Sequence, residues 1–348
     1  MRGLSLPLPG AQKQILATGA RDQPVTTHRG PPGSLKLVRV RAPARLHLGF
    51  LDMNGALGRK FGSIGLAVDR PATRLTVSRA ASNAASGPES VRCLQLINAF
   101  KRSREGGYQV DVEEAIPAHA GLGSGTQLAL AVGTAIARLE GRELAAQDIA
   151  GLGARGARSG IGLAAFANGG FLVDGGRGAR DRAPPLTLAA EFPEDWRILL
   201  MLDHGRAGVS GDAESQAFAA LPEFPQSAAA HICHLVLMKL VPGLKETDIK
   251  AFGDSLTEIQ TLVGAHFAGK QGGSPWTSPA VGRLASRMQE LGATGIGQSS
   301  WGPTGFAFVD GDEAAVRLYH SLVEDAKASG VEIVIARGRN TGARVETA

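Results

Sequence analysis

Cysteine, aromatic residues and long apolar runs are scarce in this chain, and each scarcity excludes a class of protein. The 348 residues include two cysteines, Cys93 and Cys233, outside any C-x-x-C spacing, so two buried thiols in a reducing compartment are expected. Aromatic residues make up 5%, too few for the stacking platforms of a single-stranded nucleic-acid binder. The sequence contains no run of about 18 apolar residues, so no membrane span is predicted. Its first 33 residues contain no apolar stretch long enough for a signal peptide. We therefore expect a cytoplasmic protein without a nucleic-acid or membrane partner.

The positive charge is confined to the start of the chain. Residues 1–45 hold eight Lys or Arg against one acid, a net of +7, whereas the whole chain carries +5, so the remaining 303 residues are at about −2. Residues 1–34 mix Pro, Gly, Gln and Thr without periodicity, which predicts a flexible basic extension. A nucleic-acid-binding arm is the less favoured alternative, because nothing downstream supports it.

Helical and strand patterns follow one another irregularly in two halves, which predicts an α+β fold rather than a doubly wound sheet. The first half, residues 35–182, has predicted strands at 37–42, 64–68, 73–78 and 108–112 and helices at 91–101 and 128–139. A linker is predicted at 174–195, where glycines and a Pro-Pro pair are concentrated. The second half, residues 194–340, has predicted strands at 196–202, 305–309 and 331–336 and helices at 226–241, 246–263, 277–291 and 313–328.

The segment PAHAGLGSGTQ, residues 117–127, lies between a predicted strand and a predicted helix. Its glycines and hydroxyl residues are Gly121, Gly123, Ser124, Gly125 and Thr126. Glycines present backbone N–H groups to an anion, the helix start adds partial positive charge, and the hydroxyls suit phosphate oxygens or a metal. The spacing is neither that of a P-loop nor G-x-G-x-x-G. Ser124 and Gln127 predict a capping box, and the segment as a whole predicts a phosphate-binding loop.

This loop is similar to the P-x-x-x-G-L-x-S-[SG] motif of the GHMP kinase superfamily. Two further segments stand where that superfamily keeps its first and third motifs: RLHLGFLD at 45–52 and GIGQSSWGPTG at 295–305. The resemblance covers about residues 36–340. It implies a ribosomal S5 domain 2-like N-terminal domain, a ferredoxin-like C-terminal domain, and a cleft where the motifs meet.

One departure selects a branch of the superfamily. Many of its kinases carry S-G-x-D, whose Asp activates the acceptor hydroxyl, but here RSGIGLAAFANGG at 158–170 has Gly162 in that place. Together with GGFLVDG at 169–175, the motif segments resemble those of the β-ribofuranosylaminobenzene 5′-phosphate synthases. Residues 1–34 fall outside this resemblance.

The resemblance implies a reaction that needs no strong base. The family joins C1 of phosphoribosyl pyrophosphate to the carboxylate-bearing ring carbon of 4-aminobenzoate, releasing CO₂ and pyrophosphate, with Mg²⁺ expected to hold the pyrophosphate. The product feeds the methanopterin cofactors. Because loss of CO₂ rather than of a proton restores aromaticity, Gly162 is compatible with this chemistry.

The candidate site residues divide into two groups. Arg45, His47, Asp52 and Arg158 are the catalytic candidates, with the arginines suited to two-pronged pairing with a carboxylate or phosphate. The substrate-binding candidates are Gly121, Gly123, Ser124, Gly125, Thr126, Gln127, Gln298, Ser299, Ser300 and Trp301.

Several alternatives stay open for individual residues. For Arg45 and His47, an ordinary ion pair with Asp52 or Asp69 is the structural alternative to contact with a ligand. Trp301 either stacks on the aminobenzoate ring or fills the domain interface. For Glu214, a helix-start carboxylate is favoured over a ligand of Mg²⁺, so the metal ligands remain unknown.

Two other functions compete with this hypothesis. The first is a GHMP-type kinase that uses ATP on a small alcohol or sugar, against which Gly162 counts. The second is a non-catalytic ligand-binding relative or a basic-armed nucleic-acid protein, against which the three polar motifs and the near-neutral body count. The oligomeric state is open, with a homodimer as one alternative.

Overall fold

Two sheets, each covered by helices, organise the protein. The computed structural model describes residues 35–152, 159–179, 183–208 and 211–348, so the predicted extension at 1–34 lies outside the described residues. The first part comprises β1 (Leu37–Asp52), β2 (Phe61–Ala80), β3 (Ala84–Ser86), α1 (Ser90–Phe100), β4 (Gly107–Glu114), α2 (Ser124–Leu139), α3 (Ala146–Leu152), α4 (Ile161–Ala167), β5 (Phe171–Asp174) and β6 (Leu186–Ala190).

The second part begins with a strand and ends with one that returns to the first sheet. It comprises β7 (Trp196–Asp203), α5 (Gly211–Ala219), α6 (Gln226–Leu235), a π-helical turn (Val236–Leu240), α7 (Val241–Glu246), α8 (Ile249–Phe267), a 3₁₀ turn (Ala268–Lys270), α9 (Pro279–Glu290), β8 (Thr294–Gln298), β9 (Gly305–Asp310), α10 (Gly311–Ala328), β10 (Val331–Arg337) and β11 (Arg344–Thr347).

The first sheet runs in the order β11-β1-β2-β4-β3, with β5 pairing β2 and β6 pairing β5. All these pairs are antiparallel except β3 with β4. Alternate residues of β1, β2 and β4 pack with α1 and α2 to form one core. The predicted first strand was too short. It continues through Pro43 by a register shift between Pro43 and Ala44, so Arg45 and His47 lie on the strand itself.

The second sheet is antiparallel in the order β10-β7-β9-β8. Its strand β7 is buried on both faces, as the apolar run predicted. Ile198 and Leu200 point into the core shared by the two parts of the chain, whereas Leu199 and Met201 point into a core formed with α9 and α10. The shared core also contains Leu46 of β1, so the two parts pack directly on each other. The α+β architecture is confirmed.

Two boundary predictions need correction. The stretch 174–195, predicted as a linker, contains β6, which pairs with β5 and extends the first sheet. The C-terminal half, predicted to end at 340, is followed by β11, which pairs with β1. Both strands are short and expose most of their side chains, so neither shows a clear apolar alternation in the sequence.

The continuous helical stretch 226–246 passes a length-and-hydropathy test for a membrane span. Ile232, Leu235 and Leu240 of this stretch nevertheless pack into the shared core, where Leu48 and Phe50 of β1 also lie. Since a core helix satisfies the same test, length and composition alone give weak support for a span.

Candidate functional site

A cavity of about 420 Å³ lies where β1, the start of α2 and the turn between β8 and β9 meet. It is lined by Arg45, Arg92, His119, Gly121, Gly123, Ser124, Gly125, Thr126, Gly211, Glu214, Ser300, Trp301 and Gly302. Three segments far apart in sequence, one from each predicted motif, therefore contribute to one cavity. This is the meeting of motifs that the sequence predicted, except that residues 159–162, the described part of the fourth predicted segment, do not line the cavity.

The glycine-rich loop directs the start of α2 into this cavity. Gly123 is the N-cap residue with φ +77°, and no described side chain caps the helix. The Oγ-bearing residues Ser124 and Thr126 line the cavity in the first helical turn. An uncapped helix start offers N–H groups and partial positive charge, which favours an anion such as phosphate.

The predicted capping box is wrong. Because Gly123 rather than Ser124 is the N-cap, Ser124 is the first helical residue and cannot act as the cap. Gln127 is fully buried, and its Nε2 donates to the carbonyl of Gly162 at 2.8 Å. Gln127 does not line the cavity, so its role is to hold α4 against α2.

Arg45 is the cation that β1 brings to the cavity. Its Nη1 donates to the carbonyl of Gly121 at 3.2 Å, while its Nε is buried without a hydrogen-bond partner among the described residues. Burial lowers the pKa of Arg45, and the negative charges of Glu214 and Asp174 oppose that shift. The guanidinium therefore has a donor available for a further acceptor.

Arg92 is a cavity residue that the sequence analysis missed. It lies on α1 beside Gly125: a Cβ built on that glycine would be 2.5 Å from Nη2 of Arg92. It forms a long ion pair with Glu89, whose carboxylate is 3.7 Å from Nη1. No motif marks it, because it stands on an amphipathic helix about thirty residues before the loop. Arg45 and Arg92 together give the cavity two guanidinium groups.

Ser299 joins the three motif segments. Its Oγ donates to the carbonyl of Gly121 at 2.7 Å and accepts from the N–H of His47 at 3.0 Å. Its own N–H donates to the carbonyl of Thr304 at 2.9 Å. Ser299 is fully buried and does not line the cavity, so it positions the loop and β1 rather than touching a ligand.

His47 lies behind the main cavity. Only 2% of it is exposed, its ring packs on Phe50 at 4.4 Å between centroids, and its Nε2 has no hydrogen-bond partner in the described structure. It faces a small adjoining cavity that shares Ser300 with the main one. Burial lowers the pKa of His47 well below its usual value, and the charge of Arg45 lowers it further. His47 is thus neutral at pH 7.

The turn after β8 contributes differently at each predicted position. Ser300, in the left-handed region with φ +57°, lines the main cavity. Trp301 also borders it, but the residue is 1% exposed and its ring stacks on that of Phe267 with 4.2 Å between centroids. This placement favours the interface-filling alternative for Trp301. Gln298 lies outside the main cavity, with its amide bonded to Thr277 N–H and to the carbonyl of Ser300.

Asp52 does not reach the cavity. Its Oδ1 accepts from the N–H groups of Asn54 at 2.7 Å and Gly55 at 2.9 Å, which makes it the first residue of an Asx turn after β1. It forms no ion pair with Arg45 among the described residues. The sequence could not separate these roles, since a carboxylate before Asn-Gly suits either.

The segment that replaces the kinase S-G-x-D motif lies partly outside the described residues, and Arg158 is among those not described. Its remaining part is held by Asp174, which is fully buried and accepts from the N–H groups of Gly160 and Gly176, both at 2.9 Å. A Cβ built on Gly162 would lie 3.1 Å from Cγ2 of Thr126. A carboxylate side chain at 162 would therefore press on the loop.

Glu214 is the one carboxylate lining the cavity among the residues that the structure describes. It lies on α5 and attracts Arg45 electrostatically. The described ranges contain no group of three or more His, Cys, Asp or Glu arranged to hold a metal. One carboxylate and nearby hydroxyls suit Mg²⁺ only where substrate phosphates supply further oxygens, which is how this ion is commonly bound.

The fold and this cavity define a two-domain protein of the GHMP kinase type. Residues 91–170 match the family described as GHMP kinases N terminal domain, and residues 240–328 match GHMP kinases C terminal. A homoserine kinase structure from Cytophaga hutchinsonii has a TM-score of 0.62 at 18% identity, covering 90% of this chain and 98% of its own. Mevalonate diphosphate decarboxylase from Staphylococcus aureus gives 0.61 at 16%, covering 90% and 98%. These likenesses show the fold.

Relatives found by sequence similarity show which family within the GHMP kinase type this chain belongs to. The chain is 33% identical to a β-ribofuranosylphenol 5′-phosphate synthase of Methanothermobacter thermautotrophicus, over 87% of this chain and 97% of that protein. It is also 33% identical to the protein of the same name from Archaeoglobus fulgidus, over 89% and 100%. The chain belongs to this synthase family. The resemblance drawn from the motifs is confirmed, and the kinase alternative has less support.

Proposed function

We propose that this enzyme transfers the ribosyl 5-phosphate group of phosphoribosyl pyrophosphate to the carboxylate-bearing carbon of a 4-substituted benzoate. The C1–oxygen bond to pyrophosphate breaks, a bond forms between C1 and the ring carbon, and the carboxylate leaves as CO₂. The electron pair of the broken carbon–carboxylate bond restores the aromatic ring. The enzyme is thus a decarboxylating pentosyltransferase.

The observation that carries this proposal is the charge of the main cavity. An uncapped helix start, Arg45 and Arg92 converge on it, and each stabilises negative charge that develops on a departing diphosphate. The Nε of Arg45, which lacks an internal partner in the described structure, is available to a phosphate or carboxylate oxygen. Cations placed before the reaction begins stabilise the transition state without reorganisation.

Mg²⁺ is the proposed metal, bound mainly by the substrate. Glu214 and the hydroxyls of Ser124 or Thr126 are the protein groups that fit it. When bound, the ion neutralises charge on the pyrophosphate. The protein groups around it orient the phosphoribosyl group, and the two arginines balance the remaining negative charge.

The surroundings of Gly162 and His47 support a reaction without a strong base. Position 162 lacks a carboxylate and stands against Thr126. His47 is buried 4.4 Å from the ring of Phe50, behind the cavity rather than in it. A kinase of this fold needs its acceptor hydroxyl activated, whereas an electron-rich ring that loses CO₂ needs no proton removed.

The para substituent of the acceptor is the open chemical choice. The relatives' names specify a phenol product, whereas 4-aminobenzoate gives an aminobenzene product. A hydroxyl or an amino group para to the carboxylate makes the attacked carbon electron-rich in either case. We propose 4-aminobenzoate as the acceptor, with 4-hydroxybenzoate as the competing one.

The test uses the full chain with phosphoribosyl pyrophosphate, Mg²⁺ and each benzoate labelled at its carboxylate. We expect labelled CO₂ and pyrophosphate in equal amounts, and no CO₂ when either the phosphoribosyl donor or the metal is left out. The ratio of kcat/KM for the two benzoates identifies the acceptor. Phosphoryl transfer from ATP to a small alcohol, with no CO₂ from any benzoate, would overturn the proposal in favour of the kinase.

The remaining proposals concern the cellular setting. We propose a cytoplasmic enzyme of methanopterin biosynthesis that acts on small molecules without a nucleic-acid or membrane partner. A homodimer is the assembly to test, by light scattering of the purified protein.

A further inference from the structure

A second cavity, of about 470 Å³, lies on the outward face of the first sheet and shares no lining residue with the candidate site. Its charged lining residues include Arg39 and Arg41 of β1, Arg74 of β2, Arg344 of β11 and Arg339 of the preceding loop. Five arginines therefore surround one groove on a body whose overall charge is close to neutral.

Strand register places three of these arginines side by side. Arg41 lies directly opposite Arg344 on one neighbouring strand and directly opposite Arg74 on the other. Like charges directly opposite each other destabilise a sheet. Repulsion within such a row lowers the stability of the sheet when no anion is bound. The pairing of the strands gives no reason for placing three arginines together.

Internal carboxylates balance only part of the row. Arg74 pairs with Glu114 at 3.1 Å and Arg344 pairs with Glu346 at 2.6 Å. The side-chain contact of Arg41 is a long hydrogen bond, 3.3 Å, from Nη2 to the carbonyl of Asp69. Glu113 is the remaining acid among the lining residues. The middle of the row is thus left without an ion pair in the part of the chain that the structure describes.

Arg339 adds a fixed cation to the same groove. Its Nε donates to the carbonyl of Thr341 at 3.0 Å and its Nη2 to that of Gly342 at 3.1 Å, so carbonyls hold the guanidinium and no carboxylate pairs with it among the described residues. Burial lowers the pKa of Arg339 and the charges of Arg41 and Arg344 lower it further, while the negative charge of Asp69 opposes part of this shift. Among the described residues, Arg41 and Arg339 thus share the groove without a carboxylate at ion-pair distance, although the charge of Asp69 acts on Arg339 from further away.

We propose that this groove is a binding site for a small polyphosphate anion, separate from the candidate active site. Guanidinium groups pair with phosphate oxygens through two parallel N–H bonds, and adjacent guanidiniums in a row match adjacent phosphates. A bound polyanion replaces the missing counter-charge, so binding and stability of the sheet are coupled. This proposal does not depend on the reaction proposed above.

Inorganic tripolyphosphate is the probe, titrated calorimetrically into the full chain at low ionic strength. The candidate active site is also expected to bind this anion, so the titration counts the bound equivalents. We expect two equivalents for the wild type. We also expect two for the control Arg317→Gln, whose side chain lies on the exposed face of α10. Arg41→Gln should bind one equivalent fewer, and Arg45→Gln should lose the other. Arg344→Gln gives a second test should Arg41→Gln fail to fold.

Thermal unfolding gives an independent readout. In buffer without polyvalent anions, Arg41→Gln should melt at the wild-type temperature or above it, because it removes repulsion from two neighbouring arginines. Tripolyphosphate should raise the Tm of Arg317→Gln by about 2 °C more than that of Arg41→Gln. An unchanged number of bound equivalents in both Arg41→Gln and Arg344→Gln would overturn the proposal.

Discussion

The Oγ of Ser299 lies 2.7 Å from the carbonyl oxygen of Gly121, although the two residues are 178 positions apart in the chain. The same oxygen accepts the N–H of His47, so one hydroxyl satisfies a backbone group from each of the other two motif segments. Gly121 lines the candidate site, whereas Ser299 and His47 are buried beside it. The shape of the glycine-rich loop therefore depends on the C-terminal part of the chain.

Ser299→Ala should destabilise the protein by about 1–3 kcal/mol, because it leaves the buried His47 N–H without its partner and removes the shorter of the two side-chain hydrogen bonds to the Gly121 carbonyl. Urea denaturation measures the change. The matched control is Ser321→Ala, whose exposed hydroxyl bonds to the carbonyl of Arg317 on α10. We also expect KM for phosphoribosyl pyrophosphate to rise in Ser299→Ala alone. Equal stability of the two variants would contradict the bridging role.

The sequence motifs predicted where this site lies, but the contacts between residues far apart in the chain could not be predicted from the sequence. The loop at 121–126, Arg45 and Ser300 were all predicted, because glycine spacing and strand order are local signals. Arg92 was missed, since an arginine on an amphipathic helix has no local pattern that marks it as a ligand. Short exposed strands such as β11 were missed for a similar reason.

Gln127 matches the capping-box pattern, but the structure shows that it does not cap the helix. A glutamine three residues after Ser124 fits the capping box, and the helix does begin there. The box fails because Gly123 takes the N-cap position with a backbone that only glycine adopts readily. Burial against α4 then decides the partner of Gln127, which is the carbonyl of Gly162. Such tertiary contacts are not encoded in a four-residue pattern.

Gly123→Val should weaken binding of phosphoribosyl pyrophosphate at least about tenfold. The residue has φ +77°, and a Cβ there would stand 3.0 Å from Cγ of Arg45, so the substitution disturbs both the loop and the arginine. Gly330→Val is the control, since Gly330 has φ +72° with no atom near its missing Cβ. Both variants place valine at a positive φ and should lose a similar amount of folding free energy. Only Gly123→Val should change the Kd for phosphoribosyl pyrophosphate in a calorimetric titration. Wild-type affinity in Gly123→Val would exclude this loop as the phosphate site.

Arg92→Gln should reduce affinity for phosphoribosyl pyrophosphate about tenfold, or ~1.4 kcal/mol, because it removes one of the two guanidiniums that the described residues place in the cavity. Little stability should be lost, since its ion pair with Glu89 is long and partly exposed. Arg92→Lys keeps the charge without the two-pronged geometry and should lie between the variant and the wild type. Arg317→Gln controls for net charge. An unchanged Kd in Arg92→Gln would remove Arg92 from the site.

His47 should make the protein sensitive to mild acid. Its folded-state pKa lies well below its usual value because of burial first and the charge of Arg45 second, so the unfolded chain binds the proton more readily. Its contribution to stability is therefore complete above the unfolded value of about 6.5 and is lost as pH falls from there toward the folded pKa. In that window the free energy of unfolding should fall by up to about 1.4 kcal/mol per pH unit more steeply in the wild type than in His47→Gln. Urea denaturation of both proteins from pH 7.5 to 5 measures the difference, and carboxylates common to both largely cancel. Parallel pH profiles would show that His47 does not titrate as a buried neutral imidazole.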